Sequence, residues 1–188
     1  MQNHKNTDVL ISNAYRSKLY SLFLVFFAMN LMAQSRRDSI ATELAKLNGN
    51  WTGIMEYTDE GDDSTVYAMP CQCNSTYNGK SWEYVLEYDE GKGNTFSGVG
   101  ECKINETGTE MDYNGVVWLV RKFEISNDTT IIEMETEAKE KRKKVIYRKY
   151  IEITSGTFTI KELVGHNDNK GLFVIRSSHK LRRMRNRN

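Results

Sequence analysis

Proline occurs once in the 188 residues, at Pro70, and cysteine and histidine occur only three times each. Three cysteines are too few for a disulfide-framework scaffold or a four-cysteine zinc module. Only His166 and His179 lie beyond the N-terminal segment, in a chain with no H-E-x-x-H spacing and no glycine-flanked serine nucleophile, so no catalytic set can be assembled from local motifs. Lysine plus arginine (26) nearly balance aspartate plus glutamate (25), which lacks the basic field of a nucleic-acid binder. The acidic cluster DEGDD (59–63) does not follow the D-x-D-x-D-G order of a calcium loop and reads as a solvated turn. No apolar run reaches the roughly 20 residues of a membrane-crossing helix. These absences point to a protein that is not an enzyme and carries no metal or cofactor.

The one marked apolar stretch is LYSLFLVFFAMNLM (19–32), preceded by Arg16 and Lys18 and followed by Ala33-Gln34-Ser35. A basic start, a short apolar core and a small residue at the cut describe a secretory signal peptide over 1–33, leaving one domain over 34–188. Cleavage removes Lys5, Arg16, Lys18 and Asp8, which moves the formal charge from +1 to about −1. The expected product is exported (periplasmic, outer-membrane associated or secreted) and has no stable membrane span. The basic tail, 184–188, reads as a solvated terminus.

Past the leader, Ile40, Leu44 and Leu47 fall at helical spacing, with Asp38 or Ser39 to cap the start and Asn48-Gly49 to end it, which predicts a short helix over about 37–47. The texture then changes. In SWEYVLEY (81–88), Trp82, Tyr84, Leu86 and Tyr88 share one face while Glu83 and Glu87 mark the other as wet. Asn78-Gly79 joins this strand back to 66–77 as a hairpin. Further strands are predicted at 51–58, 95–104, 109–113, 116–125, 129–137, 144–153, 156–164 and 171–182, separated by turn-like connectors. Short strands and tight turns predict a meander, and a long meander curls and closes to remove its edges. The expected fold is therefore all-β, a single antiparallel up-and-down β-barrel of about 8–10 strands over about 50–183. An immunoglobulin-type sandwich is disfavoured by the lack of a long return connection.

Alternation points Tyr67, Met69, Trp82, Tyr84, Phe96 and Met134 inward, a set that suits either an apolar cavity or a filled core. Gly98 and Gly100, on the face of Phe96, either open room for a ligand or let the strand bend. Cys71 and Cys73 also share a face. In an oxidising compartment one disulfide drawn from Cys71, Cys73 and Cys102 is expected, with buried free thiols and a metal pair as the alternatives. Two arginines are candidates to hold an acid group, Arg148 and Arg176. Parity weighs against the first, because Val145, Tyr147, Ile151 and Ile153 form the more apolar face of its strand and would turn Arg148 and Glu152 outward as a surface pair; Arg176 is open in the same way, with Phe173 and Ile175 on one side and Val174 on the other.

Two resemblances add to this. Leu47-Asn48-Gly49-Asn50-Trp51-Thr52-Gly53, placed between a helix and the first strand, resembles the G-x-W signature of the lipocalins. The closing segment Arg176-Ser177-Ser178-His179-Lys180-Leu181-Arg182 is similar to an R-x-x-aromatic-x-x-R close. Together they resemble small secreted lipocalin-like barrels of Bacteroidota-type bacteria. That likeness implies that Trp51 plugs one end of the barrel, with Arg182 or Arg183 packed across its indole. The T-D-Y-type turn of many lipocalins has no counterpart at Asp112-Tyr113. Separately, Arg148-Lys149-Tyr150 resembles the R-x-Y carboxylate clamp of fatty-acid-binding barrels. The expectation is a non-catalytic carrier or sensor for a small, largely apolar ligand, such as a fatty acid, held by Tyr67, Met69, Trp82, Tyr84, Phe96, Met134, Arg148, Tyr150 and Arg176. The alternative is a filled-core envelope protein whose loops or outer face bind a protein partner.

Overall fold

The computed structural model describes residues 4–59, 65–91, 93–140, 142–166 and 172–184, with side chains from Ser21 onward except those of Asn30 and His166. Most of the DEGDD cluster, much of the loop after His166 and most of the basic tail lie outside the described residues. One helix, α1 (His4–Ala45), precedes ten strands: β1 (Gly49–Thr58), β2 (Val66–Tyr77), β3 (Ser81–Gly91), β4 (Asn94–Ile104), β5 (Glu110–Tyr113), β6 (Val116–Ser126), β7 (Thr129–Glu140), β8 (Lys143–Ile153), β9 (Thr157–His166) and β10 (Phe173–Arg183). Each strand pairs antiparallel with its sequence neighbour, and β1 pairs with β10, so the meander closes into a barrel. The connections are tight because their residues suit them. Asn114 (φ 54°) and Gly115 (φ 81°) adopt the left-handed pair that matches the twist of the β5–β6 hairpin.

The helix is longer than the 37–47 read from periodicity. It runs unbroken through the apolar segment, whose large side chains from Leu22 to Met32 stay 55–75% exposed. Further along, Ile40 and Leu44 have a face to bury and are fully enclosed. Among the described residues no helix is long and apolar enough to cross a membrane.

The seam between first and last strands is drawn close at Gly53. A Cβ there would lie 1.9 Å from the Lys180 carbonyl oxygen, so only glycine lets the two backbones meet at this spacing. Just below, α1 seals one end of the barrel. Ile40, Leu44 and Leu47 are fully buried, and so is Trp51, whose ring meets Phe158 edge-on at 4.8 Å. The indole Nε1 donates to the Leu47 carbonyl at 2.8 Å. Of the two candidate arginines, Arg183 takes the place over the indole, its guanidinium carbon 4.2 Å from the ring centroid. The same guanidinium donates to the carbonyls of Asn48 at 2.7 Å and Lys46 at 2.6 Å, which are left without helical partners where α1 ends. Arg182, one residue earlier, faces outward opposite Thr52.

Arg183 therefore joins helix end, tryptophan and last strand. Arg183→Ala is expected to lower unfolding free energy by about 1–2 kcal/mol, from the cation–π contact and charge-assisted hydrogen bonds. Arg182→Ala is expected to change it by less than about 0.5 kcal/mol, as at other exposed sites. Urea denaturation of the two variants side by side checks the difference.

Candidate functional site

The barrel interior divides into two halves, because inward positions carry different residues along each strand. Near the sealed end the inward side chains are large and apolar: Trp82, Met111, Ile132, Met134, Ile151 and Phe158 are all fully buried. The Trp82 and Tyr84 rings meet tilted by 38° with centroids 4.8 Å apart, the Trp82 Nε1 donates to Ser75 Oγ at 2.5 Å, and the hydroxyls of Tyr84 and Tyr113 meet at 2.5 Å. Trp82, Tyr84 and Met134 are thus packed filling and not a cavity wall. Gly100 serves the same packing: a Cβ there would fall 2.0 Å from the Tyr84 ring, so its missing side chain is occupied by the tyrosine and opens no room.

Toward the other end the inward stripe turns polar. Alternation along β8 places Lys149 on the inner face with Val145, Tyr147, Ile151 and Ile153, and only 6% of it is exposed. Its Nζ lies 2.5 Å from Glu162 of β9, 4.1 Å from the Tyr113 ring centroid and 5.0 Å from that of Trp118. Removing an ammonium from water costs several kcal/mol, and here a carboxylate and two aromatic faces offset that loss. A second ion pair joins Arg176 and Glu140 at 3.6 Å, and Tyr147 donates its hydroxyl to the same Glu140. Burial first, then that bond to the carboxylate, push the Tyr147 phenol up to about 12.

Between these groups opens a cavity of about 420 Å³. Met55, Tyr57, Thr58 and Asp59 bound it on the β1 side, and Tyr147, Glu162, Arg176 and Ser177 on the other. Arg176 reaches it because the chain bulges between Ile175 and Ser177, adding one residue opposite β9. Below, His179 Nε2 lies 3.1 Å from the Tyr88 hydroxyl, while its Nδ1 is buried without a hydrogen-bond partner. Burial, then the nearby Lys149 ammonium, lower the imidazole to about 4, so it is neutral at pH 7.

The remaining sequence candidates are distributed differently from the expectation. Arg148 and Tyr150 lie on the outer face, because they alternate with inward Tyr147, Lys149 and Ile151. Arg148 is held there by Glu135 at 2.9 Å and Glu133 at 3.2 Å, with Phe173 under its guanidinium at 4.2 Å. The R-x-Y clamp reading is therefore corrected. Phe96 and Tyr67 are each 44% exposed; Phe96 stacks on Tyr88 at 4.8 Å, and Tyr67 on Tyr57 at 5.2 Å at the rim. Met69 is half-buried against the core.

The expected disulfide is absent, since Cys71, Cys73 and Cys102 are all free and buried. Register explains why: Cys102 sits opposite Trp82, which pairs with Tyr77, four residues along β2 from Cys73. That offset is about 13 Å along the strand, added to two strand spacings, well beyond disulfide reach. Burial raises the thiols to about 11 for Cys71 and about 12 for the other two, so they stay protonated. Among the described residues no group of three or more potential metal ligands comes together. The two histidines do not meet either, because His179 pairs with Ile160, six residues along β9 from His166, a separation of about 20 Å.

Lys149, Glu162, Glu140, Tyr147, Tyr57 and His179 complete the polar half of the interior, and motif reading did not find them. Parity did carry a signal. Lys149 shares its face with Val145 and Ile151, and Glu162 with Phe158, Ile160 and Val164, so each is a charge embedded in an otherwise apolar stripe.

The geometry defines a ten-stranded antiparallel barrel of lipocalin-like form, sealed at one end, with a cavity of mixed polarity toward the other. No protein-family model matches the chain, and no curated protein sequence matches it. Among solved structures it is similar to the crystal structure of Rv2717c from M. tuberculosis. That similarity has a TM-score of 0.54 at 13% identity and covers 76% of this chain and 95% of the other. At that identity the likeness concerns the fold alone.

The neutral His179 makes stability depend on pH. A histidine takes up its proton near 6.5 when unfolded but only near 4 here, so between these values the unfolded chain binds more protons. Stability is therefore expected to fall as pH drops from 6.5 to 4, and His179→Gln is expected to flatten that slope. Thermal melts at half-unit steps check it.

Proposed function

We propose that the protein is an exported, non-catalytic carrier or sensor that holds a small molecule in the half-polar mouth of its barrel. The observation that carries this reading is the cavity of about 420 Å³ with Arg176 and Glu162 both on its wall. Pockets of about 300–1,000 Å³ with few convergent polar groups are the usual form of small-molecule sites. Arg176, aimed at the cavity by a bulge, is the group to hold a carboxylate or another planar anion. Glu162 can accept from a donor on the same ligand without leaving Lys149. Tyr57, Tyr147 and Met55 supply the apolar contact. The ligand is thus a compact acid with a ring or short apolar body. A long fatty-acid chain is a poorer fit, because the lower barrel is filled by Trp82, Tyr84 and Met134.

Export follows from the leader over 1–33. Its support is that the apolar side chains from Leu22 to Met32 remain more than half exposed while the sealed barrel draws its helical contacts from Ile40 and Leu44.

Two fluorescent probes of matched aromatic size test the site. Anilinonaphthalene sulfonate carries an anion and N-phenyl-1-naphthylamine does not. Arg176→Ala is expected to weaken the anionic probe at least 10-fold, about 1.4 kcal/mol, and to leave the neutral one within about 2-fold. Arg148→Ala should change neither. Equal loss of both probes in Arg176→Ala, or no binding by the wild type, would overturn the reading.

A further inference from the structure

The barrel wall is incomplete above β5. That strand has only four residues and pairs with Cys102, Lys103 and Ile104 alone, leaving most of the eleven-residue β4 without a neighbour on that side. The last bonds across are at Glu101, whose N–H donates to Asn114 Oδ1 at 2.7 Å and whose carbonyl accepts from the Asn114 N–H at 2.9 Å. In an antiparallel strand the N–H and C=O of one residue point to the same side, and every second residue repeats that direction. Thr95, Ser97 and Val99 therefore present three donors and three acceptors along the open edge, and among the described residues no strand pairs there.

Natural edges are usually blunted by lysine, proline or a bulge. Residues 94–100, Asn-Thr-Phe-Ser-Gly-Val-Gly, contain none of the first two, and the register of β4 against β3 runs unshifted from Thr95 to Lys103. Val99 is 79% exposed and sits beside Val85 on the outer face, at a groove of about 620 Å³ flanked by Glu83 and Glu101. The surroundings are acidic. Glu83, Glu87, Asp89 and Glu101 face outward, against one basic residue on the two strands, Lys103, which is paired with Glu101 at 2.6 Å.

We infer that the β4 edge is a docking site for an extended, basic segment of a partner protein, added as a further strand. Six backbone hydrogen bonds with Thr95, Ser97 and Val99 would supply direction, and alternate side chains would supply choice. The residue opposite Val99 would pack on it, lysines or arginines on the same face would reach Glu87 and Glu101, and the opposite face would lie over Gly98 beside Phe96. A second copy of this chain offers the same hydrogen-bonding edge but brings its own acidic face, so charge disfavours it. The cavity is not involved, so this inference stands apart from the small-molecule reading.

A heptapeptide of alternating lysine and valine, blocked at both ends, is the probe, with the glutamate–valine peptide as control. Fluorescence anisotropy is expected to show the basic peptide binding at least 10-fold more tightly, with affinity falling as salt is added. Hydrogen exchange should show new protection at the Thr95, Ser97 and Val99 amides. Ser97→Pro removes an edge donor that no ladder bond uses, and should weaken the basic peptide at least 10-fold with an unchanged thermal midpoint. Val99→Lys, which leaves the backbone intact, should do the same if the proline variant misfolds. Equal affinity for both peptides, or no protection at the three amides, would overturn the inference. So would a dimer in sedimentation that already protects them.

Discussion

Everything in this barrel depends on the first and last strands meeting. β1 and β10 are separated by more than a hundred residues of chain, and pairing them carries the largest loop-closure cost in the fold. Three local features bring the seam together. Gly53 lets the backbones approach, Trp51 fills the space beneath, and Arg183 ties β10 to both the indole and the end of α1. One end is sealed this way, and the cavity lined by Met55, Tyr147 and Arg176 lies toward the other. The polarity of the interior follows the same axis, from tryptophan and phenylalanine at the floor to lysine, glutamate and arginine near the mouth.

Charges inside a barrel are costly, and these are held in a manner that limits the cost. Lys149 is the deepest, and it meets a carboxylate and two ring faces before any solvent. Glu162 connects that buried ammonium to the cavity wall, so a ligand at the mouth would be sensed at the centre of the barrel through one side chain. His179 stays neutral because its ring is buried and, second, because the same ammonium lies nearby. A core designed only for stability would fill these positions with leucine or valine, often without loss.

The fold was legible from sequence because antiparallel strands advertise themselves twice, by alternation and by turn chemistry. Asn78-Gly79, Asn114-Gly115 and Ser126-Asn127-Asp128 marked their hairpins, and all ten expected strands lie within a few residues of those observed. The position of Trp51 was legible by another route, through the resemblance of Gly49-Asn50-Trp51 to the lipocalin signature. The site was harder to read. Motif resemblance drew attention to Arg148, whereas plain parity on Val145, Tyr147 and Ile151 placed Lys149 inside. Arg176 could not be placed by parity at all, because a bulge displaces it and bulges leave no dependable mark on alternation. The cysteines misled for a related reason: compartment chemistry suggested pairing, but only the register showed how far apart β2 and β4 hold them.

Whether the mouth cavity holds a molecule in the cell decides between carrier and filled-core protein. Native mass spectrometry of the protein purified from its own host measures this directly. The expected species is a complex heavier than the bare chain by a few hundred daltons, with the extra mass released on unfolding and recovered as a small acid. A spectrum of bare chain alone, with no added mass under conditions that preserve other non-covalent complexes, would contradict it.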